Sequence, residues 1–282
     1  MTDAPTLRLD DRVAIITGAA GLIGSALAAG FAASGARVVM VDRDGDGLAR
    51  VAAGIDAETL QIACDLTDSD AVAALVTRVL AERGGIDVLV NNAGGNHRLL
   101  PHLVDLEHFD RLVSLNLRAP FLLSRLVGRH MIAKRRGAIV NVTSTCGCSG
   151  MGRGNFAFSI SKAALNAMTR ELALEWGASG VRVNAIAPSQ VDSPGMREWM
   201  DEIAGDGRTM GEHLLGGTPL GRLTTAQDIV GPALFLASDA AAMVTGLVVP
   251  VDGGNLTANA AGTVGVPIDI EELADGELAP VN

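Results

Sequence analysis

The chain contains no tyrosine. Only 3% of its 282 residues are aromatic, so no phenol is available for proton transfer and the core must be built mostly from aliphatic side chains. Cysteine is nearly as scarce. Cys64, Cys146 and Cys148 are too few for a fully paired disulfide framework, and no His/Cys spacing suggests a metal site. That scarcity implies a reducing compartment. Met1 to Asp10 carries acids and a proline before any apolar run, unlike a signal peptide, so a cytoplasmic location is expected. No stretch approaches the roughly 20 charge-free apolar residues of a membrane span, and no membrane partner is expected. Basic residues number 22 against 32 acidic ones, and the net charge of −10 argues against nonspecific binding to nucleic acid. A small anionic ligand stays compatible with that charge, because backbone N–H groups can hold phosphate locally.

A hydrophobic content of 48% with 19% charged residues describes a compact chain, long enough for one large α/β domain. Short Val- and Ile-rich runs predict strands at Val13–Thr17, Arg37–Asp42, Thr59–Cys64, Ile86–Asn91, Ala138–Ser144, Arg182–Ile186 and Leu247–Val251. Helical patterns alternate with them, at Ile23–Ser34, Asp70–Arg83, Leu106–Ile132 and Phe158–Trp176. This alternation predicts an α/β fold with a doubly wound, seven-stranded parallel sheet. One domain is expected over 1–254, with 255–282 as a C-terminal extension that turns acidic. Within the domain, Ser193–Thr218 breaks the alternation with Gly205, Gly207, Gly211, Gly216 and Gly217 between short apolar pieces and reads as a mobile flap over a pocket.

Three groups of residues carry chemistry. Gly18, Gly21 and Gly24, with Leu22 and Ile23 between the last two, follow the first strand and open the first helix. Glycines there permit a tight turn and close approach of a pyrophosphate to the helix N-terminus. Asp42 ends the second strand about 20 residues further on, where a carboxylate can accept hydrogen bonds from a ribose diol and would repel a 2′-phosphate. This favours NAD over NADP, although the neighbouring guanidinium of Arg43 could receive that phosphate. Asn116 precedes Pro120 by four residues, and proline offers no N–H to the Asn116 carbonyl, so the helix should kink there. Phe158 and Lys162, also four apart, share one helical face. Asn96, His97 and Arg98 follow the fourth strand, at the carboxyl edge where ligands bind in such sheets.

Taken together, these motifs resemble the short-chain dehydrogenase/reductase family over roughly Leu9 to Gly254. Asp65-Leu66 looks like its adenine-contacting pair, and Asn91-Asn92-Ala93-Gly94 like its motif after the fourth strand. Asn141-Val-Thr-Ser144 is similar to the strand bearing the substrate-polarising serine. Pro188-Ser-Gln190-Val191-Asp-Ser193 resembles the nicotinamide-contacting turn. Leu22, Ser189 and Ser193 depart from residues more usual in the family, without threatening cofactor binding. The resemblance implies a Rossmann-type three-layer sandwich, a homotetramer or dimer, and NAD(H)-linked interconversion of a secondary alcohol and a ketone. The small-molecule substrate would be a polyol, sugar or sugar acid, as for gluconate-5-dehydrogenase-like members. It also implies catalytic roles for Asn116, Ser144 and Lys162, with Lys162 on the nicotinamide ribose as well, and a substrate pocket shared by Asn96, His97, Arg98, Ser144, Cys146 and Gln190.

The family's proton-transferring tyrosine falls on Phe158. Two accounts stand. Phe158 is an engineered tyrosine replacement that disables the site, or the protein uses other chemistry with Cys146, Cys148 or His97 supplying the proton. A catalytically silent NAD(H)-binding sensor or scaffold is the alternative function.

Overall fold

The computed structural model describes residues 6–201 and 209–257. Seven strands form one parallel sheet: β1 Val13–Thr17, β2 Arg37–Asp42, β3 Leu60–Ala63, β4 Val88–Asn91, β5 Gly137–Val142, β6 Val181–Pro188 and β7 Val248–Val251. Their order across the sheet is β3-β2-β1-β4-β5-β6-β7. The helices are α1 Leu22–Ala33, α2 Gly45–Ala52, α3 Ser69–Arg83, α4 Leu106–Val113, α5 Ala119–Lys134, α6 Phe156–Gly177, α7 Pro194–Met200, α8 Met210–Gly216 and α9 Ala226–Ala237. The doubly wound, Rossmann-type sandwich expected from the sequence is therefore present.

Alternate residues of each strand feed opposite layers, as the period of two requires. Ala14 and Ile16 of β1 and Val38 and Met40 of β2 pack with Leu27 and Phe31 of α1 and with Ile229 and Ala233 of α9. Val13 and Ile15 of β1, with Val39 and Val41 of β2, pack on the other face with Val72 and Leu75 of α3 and Leu123 and Val127 of α5. Only one aromatic ring, Phe31, is among the largest fully buried side chains; Leu, Ile and Met make up the rest.

The order reverses between β1 and β4, where β1 leads outward to β2 and β4 leads the other way to β5. In such sheets the diverging connections leave a crevice beyond the strand carboxyl ends.

Three expectations need correction. The segment 106–132 is not one helix: α4 and α5 are joined by a π-helical turn, Ser114–Arg118, in which the Ala119 N–H donates to the Ser114 carbonyl. Pro120 falls in the first turn of α5, where a missing N–H is tolerated. The strand bearing Ser144 stops at Val142, and Ser144 instead caps the 3₁₀ turn Thr145–Gly147. The flap 193–218 contains two short helices whose caps were outweighed by its glycines in the sequence reading. Ser193 caps α7, with Pro194 opening it, and Thr209 with Glu212 forms a capping box on α8. Residues 202–208, within the flap, and 258–282, nearly all of the C-terminal extension, lie outside the described residues.

Candidate active site

A cavity of about 1250 Å³ occupies the crevice at the reversal point. It is lined by Gly18, Gly21, Leu22, Ile23 and Gly24 from the β1–α1 turn, and by Asp42 and Arg43 after β2. Asp65 and Leu66 follow β3, and Asn92, Ala93 and Gly94 follow β4. Val191 and Ser193 close it on the flap side. These fourteen are all of the cofactor residues expected from the sequence except Lys162 and Pro188.

Gly18 and Gly24 are required by contact distances. Gly18 has φ +66°, and a Cβ there would lie 2.9 Å from both the Ala93 Cα and the Asn92 amide nitrogen. At Gly24 it would lie 2.0 Å from the Gly18 carbonyl oxygen. No side chain caps α1, and no acidic residue stands in its first turn, so its N-terminal N–H groups face the cavity without a competing anion. Such a cradle fits a dinucleotide pyrophosphate.

Two further polar residues organise the site, Thr67 in the cavity lining and Thr17 buried behind it. Thr17 accepts at Oγ1 from the N–H groups of Asn92 (2.9 Å) and Ala93 (3.0 Å), while Asn92 Nδ2 donates to the Thr17 carbonyl (2.8 Å). This clamps the β4 turn to β1. Thr67 donates to Asp65 through its N–H (2.9 Å) and hydroxyl (2.7 Å), which holds that carboxyl below its usual range, with Arg43 adding to the effect. Thr17 shows no signal beyond its strand position, whereas Asp65-x-Thr67 is a recognisable Asx turn. Asp42 accepts from the Ala20 N–H and the Asp44 N–H, both at 3.1 Å, so its carboxylate is fixed at the rim.

Two of the expected catalytic residues, Asn116 and Lys162, converge on Gly94 in the cavity lining. Asn116, fully buried in the π-helical turn, exchanges two 2.9 Å hydrogen bonds with the Gly95 backbone and donates to Ser161 Oγ (3.1 Å). Ser161, missed in the sequence, donates its hydroxyl hydrogen bond to the Phe158 carbonyl (2.7 Å) and so ties Asn116 to α6. A Cβ on Gly94 would sit 3.1 Å from Asn116 Oδ1 and 3.2 Å from Lys162 Nζ, so both tips reach the same glycine. Lys162 Nζ donates to the Val142 carbonyl (2.8 Å) and lies 5.7 Å from the centre of the Phe158 ring. Ser144 Oγ accepts from the Cys146 N–H (3.2 Å) and faces the Pro188 carbonyl at 3.5 Å.

Burial lowers the Lys162 ammonium from 10.5 to about 8. In the absence of cofactor, the folded protein therefore holds fewer protons than the unfolded chain between those values, and stability falls as pH drops through that window. Lys162→Met should stabilise the apo protein at neutral pH by roughly 1–2 kcal/mol, after allowing for the lost bond to Val142. The gain should vanish by the upper end of the window. Urea unfolding across that range checks this, and a gain that does not vary with pH would contradict it.

The expected substrate residues divide. Asn96 Nδ2 donates to Asn155 Oδ1 (2.8 Å), the His97 ring lies 4.8 Å from that of His108, and Arg98 stacks over Trp199. The nearest polar contact of the Gln190 amide is Met151 Sδ at 3.9 Å, and Cys146 is half-buried beside Ser144. None of them lines the large cavity. Of the alternative proton carriers, the Cys148 thiol is pushed up chiefly by desolvation and points to the Ser144 carbonyl, a poor arrangement for a general acid or base. Among the described residues no cluster of His, Cys, Asp and Glu could hold a metal ion.

A family model described as enoyl-(acyl carrier protein) reductase, of the short-chain alcohol dehydrogenase type, matches residues 18–255. D-threitol dehydrogenase of Mycolicibacterium smegmatis is 38% identical over 251 residues, covering 88% of this chain and 94% of that one. The chain belongs to the short-chain dehydrogenase/reductase family. Gluconate 5-dehydrogenase of Gluconobacter oxydans is 36% identical over 86% of this chain and 93% of its own. A Beutenbergia cavernae protein assigned as an NAD(P)-dependent gluconate 5-dehydrogenase, with NADP bound at low occupancy, superposes with a TM-score of 0.82. It is 39% identical and covers 90% of this chain and all of its own. Membership makes the chain an oxidoreductase related to dehydrogenases of polyols and sugar acids, and no helix among the described residues is long and apolar enough to cross a membrane.

Proposed function

We propose that the protein is an NAD(H)-dependent dehydrogenase of a secondary alcohol, of the polyol, sugar or sugar-acid class, held in a weakened state by Phe158. The observation that carries this is the convergence of Asn116 and Lys162 on Gly94 at the end of the dinucleotide cavity. A bound nicotinamide dinucleotide supplies the hydride acceptor or donor. Ser144 holds the substrate oxygen and Lys162 supplies positive charge beside it, which stabilises developing negative charge. Phe158 fills the space of the proton-transferring group without a proton to give. That gap also favours a second reading, a catalytically silent NAD(H)-binding sensor, which predicts binding without turnover even when a hydroxyl is supplied at position 158.

NAD is proposed over NADP because Asp42 is fixed at the cavity rim beside the ribose end of the crevice. Calorimetry should give the tighter Kd for NAD, and Asp42→Ala should narrow a gap worth a few kcal/mol at most. Tighter NADP binding by the parent chain would overturn the assignment, and the NADP held by the Beutenbergia relative makes the comparison necessary.

Assembly as a homotetramer, or at least a dimer, is proposed from apolar side chains left in solvent. Leu106 (80% exposed) on α4, Phe121 on α5, Leu174 (79% exposed) on α6, and Met243 and Leu247 beside β7 are side chains that self-association would cover. Light scattering that finds only monomer at micromolar concentration would refute this. A cytoplasmic site of action follows from the cysteine content as a proposal of the same standing.

A further inference from the structure

Three elements meet outside the dinucleotide cavity, just before the helix that carries Phe158 and Lys162. The loop after β4 is bonded to the turn before α6, with the Leu99 N–H on the Gly154 carbonyl (3.0 Å) and Asn96 on Asn155. The third element, α7, brings Trp199. The Arg98 guanidinium carbon lies 4.8 Å from the Trp199 ring centre, and that of Arg153 lies 5.8 Å from it.

Arg153 is held there by an unusual backbone. Gly152, Arg153 and Gly154 have φ of 64°, 53° and 78° in succession. A non-glycine residue in the left-handed region costs about 1 kcal/mol or more, and such strain concentrates at ligand sites. Among the described residues neither Arg98 nor Arg153 meets a carboxylate, and unlike Arg37, Arg118, Arg135 and Arg182, which donate to backbone carbonyls, both are set against an aromatic ring. Arg153 Nη1 donates to Met210 Sδ at 3.5 Å. Two guanidinium groups thus share one indole without a carboxylate partner among the described residues, in a chain of net charge −10. Cations stacked on one ring repel each other, and an oxyanion between their planar forks would relieve that repulsion and make charge-assisted bonds to both.

We propose that Arg98, Arg153 and Trp199 bind a carboxylate at the far end of the substrate, with Arg153 and Trp199 as specificity-determining residues. The preferred substrate class is then hydroxy acids, ahead of uncharged polyols. This inference rests on the dehydrogenase reading.

Because the chain has no tyrosine, its intrinsic fluorescence comes from Trp176 and Trp199 alone. With NAD⁺ saturating, titrate gluconate against glucitol, threonate against threitol and glycerate against glycerol, following that emission. At least one acid should bind about tenfold or more tighter than its polyol. Arg153→Gln should abolish the difference, leaving the polyol Kd, the NAD⁺ Kd and Tm unchanged, and Arg153→Lys should retain part of it. Equal affinity within every pair, no binding of any acid, or an Arg153→Gln effect equal on acid and polyol would overturn the proposal. Tighter binding of glycerol 3-phosphate than of glycerate would overturn the carboxylate assignment in favour of phosphate. Failure of NAD⁺ to bind would sink the dehydrogenase reading separately, and the acid–polyol comparison without dinucleotide would still decide the anion site.

Discussion

Phe158→Tyr is expected to raise NAD-dependent alcohol oxidation by about 10²–10⁴-fold, the usual worth of a positioned general acid or base. The change adds one oxygen to a ring that is only half-buried, 5.7 Å from Lys162 Nζ, so fold and NAD affinity should hardly alter. A phenol near pKa ~10 is a poor base at neutral pH, and an ammonium beside it favours the phenolate. Oxidation by the variant should therefore rise with pH as the phenol ionises. Lys162→Ala in the tyrosine background should abolish the gain. The measurement is nicotinamide absorbance, in both directions, over a panel of polyols, sugar acids and hydroxy acids. If the chain as it stands turns over a panel member as fast as the variant, the weakened-enzyme reading is wrong and His97 and Cys146 become the first candidates for proton transfer.

The second large effect is expected at the other end of the cavity. Gly24→Ala places a methyl carbon 2.0 Å from the Gly18 carbonyl oxygen and 2.6 Å from its carbon, and both of those atoms are backbone. No rotamer relieves such a contact. The β1–α1 turn has to open, at a cost of roughly 1–3 kcal/mol in stability. The opened turn no longer presents the N-terminus of α1 to a pyrophosphate, so NAD affinity should fall by about two orders of magnitude or more, given 1.4 kcal/mol per tenfold. Gly231→Ala is the control, because a Cβ there meets nothing within 4 Å and the residue lies on α9, outside the cavity lining. Calorimetry that finds Gly24→Ala binding NAD like the parent would remove the phosphate-cradle role from this turn.

Much of this was legible in the sequence, for a physical reason. Strands covered on both faces appear as continuous apolar runs, and β1 and β2 match the sequence reading residue for residue. The glycine turn and Asp42 could be placed because backbone approach and charge leave few choices of residue. What escaped was set by tertiary contact. Thr17 and Ser161 act through hydroxyls aimed at the backbone and side chains of distant segments, and any strand threonine or helix serine looks alike along the chain. Trp199 and Arg153 are 46 residues apart and read as unrelated until α7 is placed. The capping signals of α7 and α8 were present, but a glycine-rich composition hid them.

The π-helical turn at Ser114–Arg118 carries one residue more than a regular helix would use to cover the same rise. Its removal would heal the hydrogen-bond ladder and, at about 100° per residue, rotate everything upstream by more than a quarter of a circle. Leu112 and His108 would then leave their buried positions, and Asn116 would swing away from Gly95. The local irregularity is thus a phase adjustment. It lets α4 keep its apolar side inward while the buried asparagine faces the neighbouring loop, two demands that an unbroken α-helix of this sequence could not meet together.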